Sequence, residues 1–386
     1  MLRKLLESKN EGVRQAALNT LMVTARLRGE RSVRANFIGM APPGQGQRSI
    51  YDCHKDVSLA TATVAYAEGG APSSDPSANQ AYDGFGTTRD FYKTVLSRNS
   101  IDDRGMRLDG YIHRGVNFNN AFWDGQEMVF GDGDGHLFTD FTKSLDVIAH
   151  ELTHGVTEHT AGLEYHNQSG ALNESISDVF GSLVKQWSLK QTADKADWLI
   201  GAEVFTPAIA GDALRSLKDP GNAYDNADMG KDPQPGHMRD YVNLPDTEDG
   251  DNGGVHINSG IPNKAFYLTA TGIGGNAWEA AGHIWYESVK ASSVKTVFQD
   301  FANTTFAKAD QLYGRGSAQQ QAVLSAWREV GVNISGLPTF ARAPTAGVAA
   351  GAADGDTLAA LTAQIQQLSA QVKAMAADIS ALRKKK

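Results

Sequence analysis

Asp146-Val147-Ile148-Ala149-His150-Glu151-Leu152-Thr153-His154 is the stretch whose reading decides the rest of the chain. It holds H-E-x-x-H inside an apolar-periodic run, so the spacing predicts a helix. Residues four apart on a helix share a face, and His150 and His154 can turn two imidazoles toward one zinc ion. Glu151 projects beside them, placed to take a proton from water activated at the metal. Two His and one Glu also occur in ordinary amphipathic helices, so the pattern needs support from elsewhere. A catalytic zinc takes three protein ligands and keeps one position open. Asn173-Glu174-Ser175-Ile176-Ser177-Asp178 opens a second periodic segment, with Val179, Phe180, Leu183 and Val184 behind it. Glu174 is the expected third ligand. Asp178, one turn on, is placed to accept a hydrogen bond from the non-ligating nitrogen of His150 and so fix that ring's aim. Solvated helix charges alone would not account for two acids at this spacing.

Further strings follow in order: Asn119-Asn120-Ala121-Phe122-Trp123, Gly131-Asp132-Gly133-Asp134-Gly135, Leu214-Arg215-Ser216 and Gly253-Gly254-Val255-His256-Ile257-Asn258-Ser259-Gly260. Together with the two helices they resemble the thermolysin-like neutral metalloproteases, in particular the protealysin-type subgroup with a short pro-segment. The resemblance runs from about Ser49 to Phe340. It implies an α+β, two-domain fold: a β-rich N-terminal domain, a helical C-terminal domain and a zinc cleft between them. It also implies an endopeptidase that cuts peptides and proteins on the amino side of hydrophobic residues. His256 and Tyr165 would stabilise the oxyanion, with Asp251 orienting His256. The Asn120 side chain and the Ala121 backbone would hold the peptide, which adds to the cleft as an extra strand. Arg215 would bind a peptide carbonyl. Phe138, Phe141, Val147, Ile200 and Leu214 match the pocket for the residue just after the scissile bond.

The resemblance departs at calcium. Asp146 and Asp197 keep two positions of the family's double calcium site, but Lys185, Leu199 and Ala202 replace three others. Calcium needs six to eight oxygens, and an ammonium supplies none. We therefore expect the double site to be absent, with Lys185 pairing Asp146 in its place. Phe205, Thr206, Ile209 and Asp212 match a separate single-calcium position. The acidic loop Gly131 to Gly135 lacks calcium-loop spacing and reads as a turn.

The chain has 386 residues, 41% hydrophobic and 21% charged, enough for more than one domain with its own core. No apolar run approaches the length that spans a bilayer. Cys53 is the sole cysteine, so no intrachain disulfide is available. The net charge is −8, unevenly spread: residues 1–34 carry eight Lys/Arg against three acids, leaving −13 on the remainder. A basic segment on an acidic body suggests docking within the molecule. It lacks the interleaved aromatics that nucleic-acid binding would call for.

In chain order, residues 1–40 read as a helical pro-segment, with Leu2, Leu5, Leu6, Val13, Ala17 and Leu21 on one side. By the resemblance it would cover the cleft as an intramolecular inhibitor. Such pro-segments carry a Pro-Pro-aromatic element ahead of the first Leu-rich helix, and the sequence begins after the place where it would stand. No secretory signal is visible, so the expectation is leaderless export to the extracellular space, with the cytoplasm as the alternative. Residues 35–50 are rich in Gly, Pro and Gln, and proteolytic maturation is expected there, before Phe37, Ile38, Met40 or Ile50. Residues 41–175 form the N-terminal catalytic domain, read as an antiparallel sheet with a helix near 87–98 and an edge strand at 120–123. Residues 176–341 form the helical domain.

An Ala/Gly linker (342–356) leads to a tail (357–386). There Leu358, Leu361, Ile365, Leu368, Val372, Met375, Ile379 and Leu382 alternate spacings of three and four. That heptad register predicts a coiled-coil helix pairing copies through residues 357–383. Two other functions compete with the endopeptidase: an inactive zinc or protein-binding module, and a zinc aminopeptidase. Every catalytic position is occupied, which disfavours the first. No Gly-x-Met-Glu-Asn-type element for a substrate amino group is present, which disfavours the second.

Overall fold

The computed structural model describes residues 2–34 and 44–335, with side chains in the first segment described only as far as Thr24. The linker, the coiled-coil tail and the expected cut points at Phe37, Ile38 and Met40 lie outside the described residues. Two helices open the chain, α1 (Leu2–Leu5) and α2 (Glu11–Arg34). Asn10 separates them, its side chain accepting from the Gly12 amide at 2.9 Å. Leu5, Val13 and Ala17 are buried in the same core as the body that follows, whereas Leu6 is exposed.

The body begins at residue 44. Gly44 N donates to Arg104 O and Gly46 N to Gly105 O, both at 2.8 Å, which ties this stretch to the domain. Five strands follow: β1 (Arg48–Asp52), β2 (Thr63–Ala67), β3 (Leu108–Ile112), β4 (Ala121–Trp123) and β5 (Met128–Phe130), in sheet order β2-β1-β3-β5-β4. The sheet is mixed, not antiparallel as expected: β1/β3 and β3/β5 run parallel, joined by long crossovers. Ile50 is fully buried in β1, between two paired strands, so the bond before it is no exposed cleavage point. The first crossover is α3 (Pro76–Leu96), which starts well before the expected residue 87. Its start was readable: Asp75 caps it by accepting from Ser77 N, and Pro76 sits where a missing N–H costs nothing.

Beyond the sheet come α4 (Leu145–Glu158) and α5 (Asn167–Leu189). The expected domain boundary after residue 175 falls inside α5, which is one continuous helix with a buried middle. Two glycines let these helices approach their neighbours. A side chain at Gly155 would meet Ile101 at 2.6 Å and the Trp123 ring at 3.0 Å. One at Gly181 would meet the Asp146 carbonyl oxygen at 2.6 Å, so α5 can lie against the start of α4. A two-stranded ribbon, β6 (Leu199–Ile200) with β7 (Arg215–Ser216), precedes the remaining helices. These are α6 (Asp251–Asn258), α7 (Gly260–Ile273), α8 (Ala280–Lys290), α9 (Phe298–Tyr313) and α10 (Ala318–Glu329).

Candidate active site

α4 and α5 bring the H-E-x-x-H residues and Glu174 together. His150 Nε2 and His154 Nε2 face each other at 3.1 Å. Glu174 presents Oε2 at 3.5 Å from the first ring and Oε1 at 3.4 Å from the second. The other ring nitrogens define the tautomers. His150 Nδ1 lies 2.9 Å from Asp178 Oδ1, and His154 Nδ1 lies 2.7 Å from Asn173 Oδ1. Asn173 Oδ1 accepts from His154 Nδ1 and the Asp178 carboxylate stands beside His150 Nδ1, an arrangement that favours the proton on each Nδ1 and leaves both Nε2 atoms with lone pairs. Two lone pairs and a carboxylate thus converge in a buried space, an arrangement that calls for a cation. The donor set, two imidazoles and one carboxylate, suits zinc.

Glu151 also lies near the pair, its Oε1 3.9 Å from His150 Nε2. Distance alone would group it with the two histidines as a ligand. Glu174 reaches both rings and is the nearer of the two to His150, while Glu151 Oε2 accepts from the Trp123 amide at 3.2 Å. Glu174 therefore fits as third ligand, and Glu151 is left facing the substrate path.

Asp178 is fully buried and held by several donors. Arg215 Nε and Nη2 reach it at 2.8 and 2.7 Å, and Asn263 Nδ2 at 2.8 Å. Burial raises its pKa, but Arg215 and His150 outweigh burial and lower it to about 2. Burial is likewise overcome at Glu174, where nearby positive charge, His256 foremost, holds the carboxyl well below the usual carboxylate range. Asn173 and Asn263 had no role in the sequence reading. Asn173 sits beside the expected ligand, and Asn263 comes from α7, far along the chain, with no local pattern to announce it.

Across the cleft, Tyr165 and His256 stand together. The Tyr165 hydroxyl donates to Glu174 Oε1 and lies 3.1 Å from His256 Nε2. Asp251 accepts from His256 twice: Oδ1 lies 2.6 Å from Nδ1 and Oδ2 lies 2.9 Å from the backbone N. This carboxylate reaches back across an unusual turn. Residues 251–254 are all left-handed, with φ of 54°, 49°, 82° and 78°. Two are glycines, but Asp251 and Asn252 carry side chains, at a cost of order 1–2 kcal/mol each.

The remaining expected residues divide. β4 is the sheet edge, and Asn120 and Ala121 line the cleft, a cavity of about 1160 Å³. Arg215, Phe141, Val147 and Leu214 line it too. Phe138 and Ile200 do not. Both are fully buried behind that wall, Phe138 packing against Phe141 and Phe205 with ring centroids 5.9 and 5.8 Å apart. α2 also reaches the cleft. Thr20 Oγ1 accepts from Asn119 N at 2.9 Å, Thr24 Oγ1 accepts from Asn120 Nδ2 at 3.2 Å, and Leu21 and Met22 join the lining.

At the other end of α4, the expected pair forms: Lys185 Nζ lies 3.0 Å from Asp146 Oδ2. The ammonium is also 3.1 Å from Asp197 and 3.3 Å from Glu203. Glu203, the residue after Ala202, supplies the third carboxylate, and no motif announces it in the sequence. Burial pulls the Lys185 pKa down, but these carboxylates outweigh it and hold the group charged. At the other expected calcium position, the Phe205 ring packs against Phe138 and Tyr224, and Thr206 Oγ1 donates to a backbone carbonyl.

Two imidazoles on one helix, a carboxylate on the next and a second carboxylate facing the groove are the equipment of a metal-dependent hydrolase that activates water. Comparison with known proteins narrows the class. Residues 45–158 match the model of the thermolysin metallopeptidase catalytic domain, and residues 161–332 that of its alpha-helical domain. An "Extracellular metalloprotease" of Pectobacterium carotovorum subsp. carotovorum is 46% identical over 336 residues, 86% of this chain and 95% of that protein. "Protease PrtS" of a Photorhabdus species is 49% identical over 289 residues, covering 74% and 76%. Among solved structures, the precursor of protealysin, a metalloproteinase from Serratia proteamaculans, superposes with a TM-score of 0.77 at 48% identity, covering 86% of this chain and 97% of that one. The chain belongs to the thermolysin metallopeptidase family.

Proposed function

We propose that the chain is a zinc endopeptidase, made as a precursor, that cuts on the amino side of hydrophobic residues. The observation that carries this is the convergence of two imidazole lone pairs and the Glu174 carboxylate beside a second carboxylate on the groove. His150, His154 and Glu174 would hold the ion, with Asp178 and Asn173 fixing the two rings. Bound there, zinc supplies Lewis acidity, polarising the scissile carbonyl and making water nucleophilic near neutral pH. Glu151 takes the proton from the attacking water and passes it to the leaving nitrogen. The Tyr165 hydroxyl and His256 Nε2 donate to the oxyanion that develops on the substrate carbonyl, and Asp251, 2.6 Å from His256 Nδ1, aims that ring. Asn120 and the Ala121 backbone align the peptide as a further strand on β4. Arg215 binds a peptide carbonyl. Phe141, Val147 and Leu214 receive the side chain after the cut, with Phe138 and Ile200 shaping that pocket from behind.

Residues 1–40 act as the inhibitory pro-segment. The support is that α2 lies on Asn119 and on the Asn120 side chain, the second of which a substrate would use. Maturation leaves the body from Gly44 onward intact, since residues 44–47 are hydrogen-bonded to it. Lys185 replaces the family's double calcium site, because three carboxylates already converge on its ammonium. The name of the Pectobacterium relative supports an extracellular place of work. Among the described residues, no helix is long and apolar enough to cross a membrane. Copies pair through the heptads of residues 357–383. The test is hydrolysis of a peptide blocked at both ends, with one internal leucine. The expected result is cleavage before that leucine, abolished by a chelator and restored by zinc. Cleavage insensitive to chelation, or removal only of free N-terminal residues, would contradict the reading.

A further inference from the structure

We propose that Asp246 is a positioning residue for the reaction: it clamps the turn leading into α6, which bears Asp251 and His256, to the start of α5, directly after Tyr165, and so sets the spacing of the two oxyanion donors. Asp246 Oδ1 lies 2.6 Å from His166 Nδ1, and its Oδ2 accepts from Asn167 Nδ2 at 3.0 Å. His166 and Asn167 follow Tyr165 in sequence. On the other side, Asp246 sits inside a tight turn. Pro245 O accepts from Thr247 N and Gly253 N, and Thr247 O accepts from Gly250 N and Asn252 N. The turn feeds straight into the left-handed run 251–254 that aims Asp251. Gly253 is packed so closely on Asn167 that a side chain there would collide with it.

A left-handed run that includes two non-glycine residues persists only where its surroundings over-determine it. The clamp and the Gly253–Asn167 contact, with Gly170 packed on Val255, are what α5 contributes to that restraint. His166 and Asp246 are about half exposed, with side-chain exposures of 55% and 48%. A polar contact this exposed adds little to global stability. Rates respond differently, because small misplacement of an oxyanion donor is costly in the transition state. The clamp therefore acts on kcat while leaving the fold nearly as stable as before.

This inference rests on the roles given to Tyr165 and His256 above, and the test separates the two. Steady-state kinetics on the blocked peptide are measured for matured wild type, Asp246→Ala, His256→Ala and the double variant. Asp246→Ala is expected to lower kcat about tenfold with KM within about twofold. In the His256→Ala background the same substitution is expected to cost less than about twofold, because the donor it positions is gone. An unchanged kcat in Asp246→Ala alongside a slow His256→Ala would overturn the clamp alone. So would equal tenfold losses in both backgrounds, the mark of a merely structural role. A wild-type kcat in His256→Ala would instead overturn the oxyanion assignment on which the clamp rests. Should Asp246→Ala fail to fold, Asp246→Asn carries the same cycle, keeping an acceptor for Asn167 and losing the charge beside His166. Its expected loss is about threefold, again absent in the His256→Ala background.

Discussion

Two charge clusters sit beside the contact of α4 with α5, one buried and one half open to solvent, and they are completed in opposite ways. Near the middle of α4, His150, His154 and Glu174 turn lone pairs toward a shared space and supply no positive group of their own. At its first turn, Asp146, Asp197 and Glu203 also converge, but Lys185 fills the centre. The first cluster needs an ion from outside; the second carries its cation in the chain. A fixed ammonium has no open coordination position and cannot activate water. The comparison therefore separates a cluster open to an ion from one already filled by an ammonium.

The largest effect that could break this contrast lies at the lysine. Lys185→Met leaves the fully buried Asp146 without its partner, and loss of about 3–5 kcal/mol is expected in denaturant unfolding. Activity per folded molecule should be unchanged, and millimolar calcium should leave the wild-type melting temperature where it was. A calcium-dependent rise in wild-type stability would mean that the second cluster is a metal site after all. The first cluster is sharpened by Asp178→Asn, which removes the charge behind His150. Zinc affinity is expected to fall about 10–100-fold in chelator competition. Unchanged affinity would make Asp178 a structural anchor for Arg215 only.

A smaller effect comes from a third cluster, whose cation titrates. His113 lies 2.6 Å from Asp132 and 2.7 Å from Asp75, the cap of α3. The Asp132 hydrogen bond, opposed by burial and helped by Asp75, raises its pKa to about 9. Its folded pKa exceeds the unfolded value, so the stability it contributes is complete below about pH 6.5 and is lost as pH rises through about 9. After discounting for solvent screening, we expect about 1–2 kcal/mol to disappear over that window. Unfolding curves at both pH values, with His113→Gln as the insensitive control, would measure it. A wild type as flat as the variant would contradict the assignment.

What could be read from the sequence follows from range. His150 with His154, and Glu174 with Asp178, are local pairs fixed by helical repeat, so their shared helix faces were legible without a structure. Tyr165, His256, Asp251 and Asn120 were reached only through resemblance, because no spacing links residues so far apart. Asn263, Glu203 and the α2 threonines enter the clusters from distant elements and left no periodic trace. Phe138 and Ile200 show the limit of matching positions: the correct neighbourhood placed them near the pocket, yet packing put them one layer behind it. The sheet was misread because period-two alternation reports a buried face, not strand direction. The start of α3 was missed although Asp75-Pro76 signalled it.

The most direct test of the central claim is the zinc content of matured Glu151→Gln, measured on the same sample as its peptide hydrolysis. The account predicts about one zinc per chain, since Glu174 and not Glu151 completes the ligand set. It predicts hydrolysis slowed by about a thousandfold, since the proton acceptor is gone. A protein without zinc, or one that cuts at the wild-type rate, would contradict it.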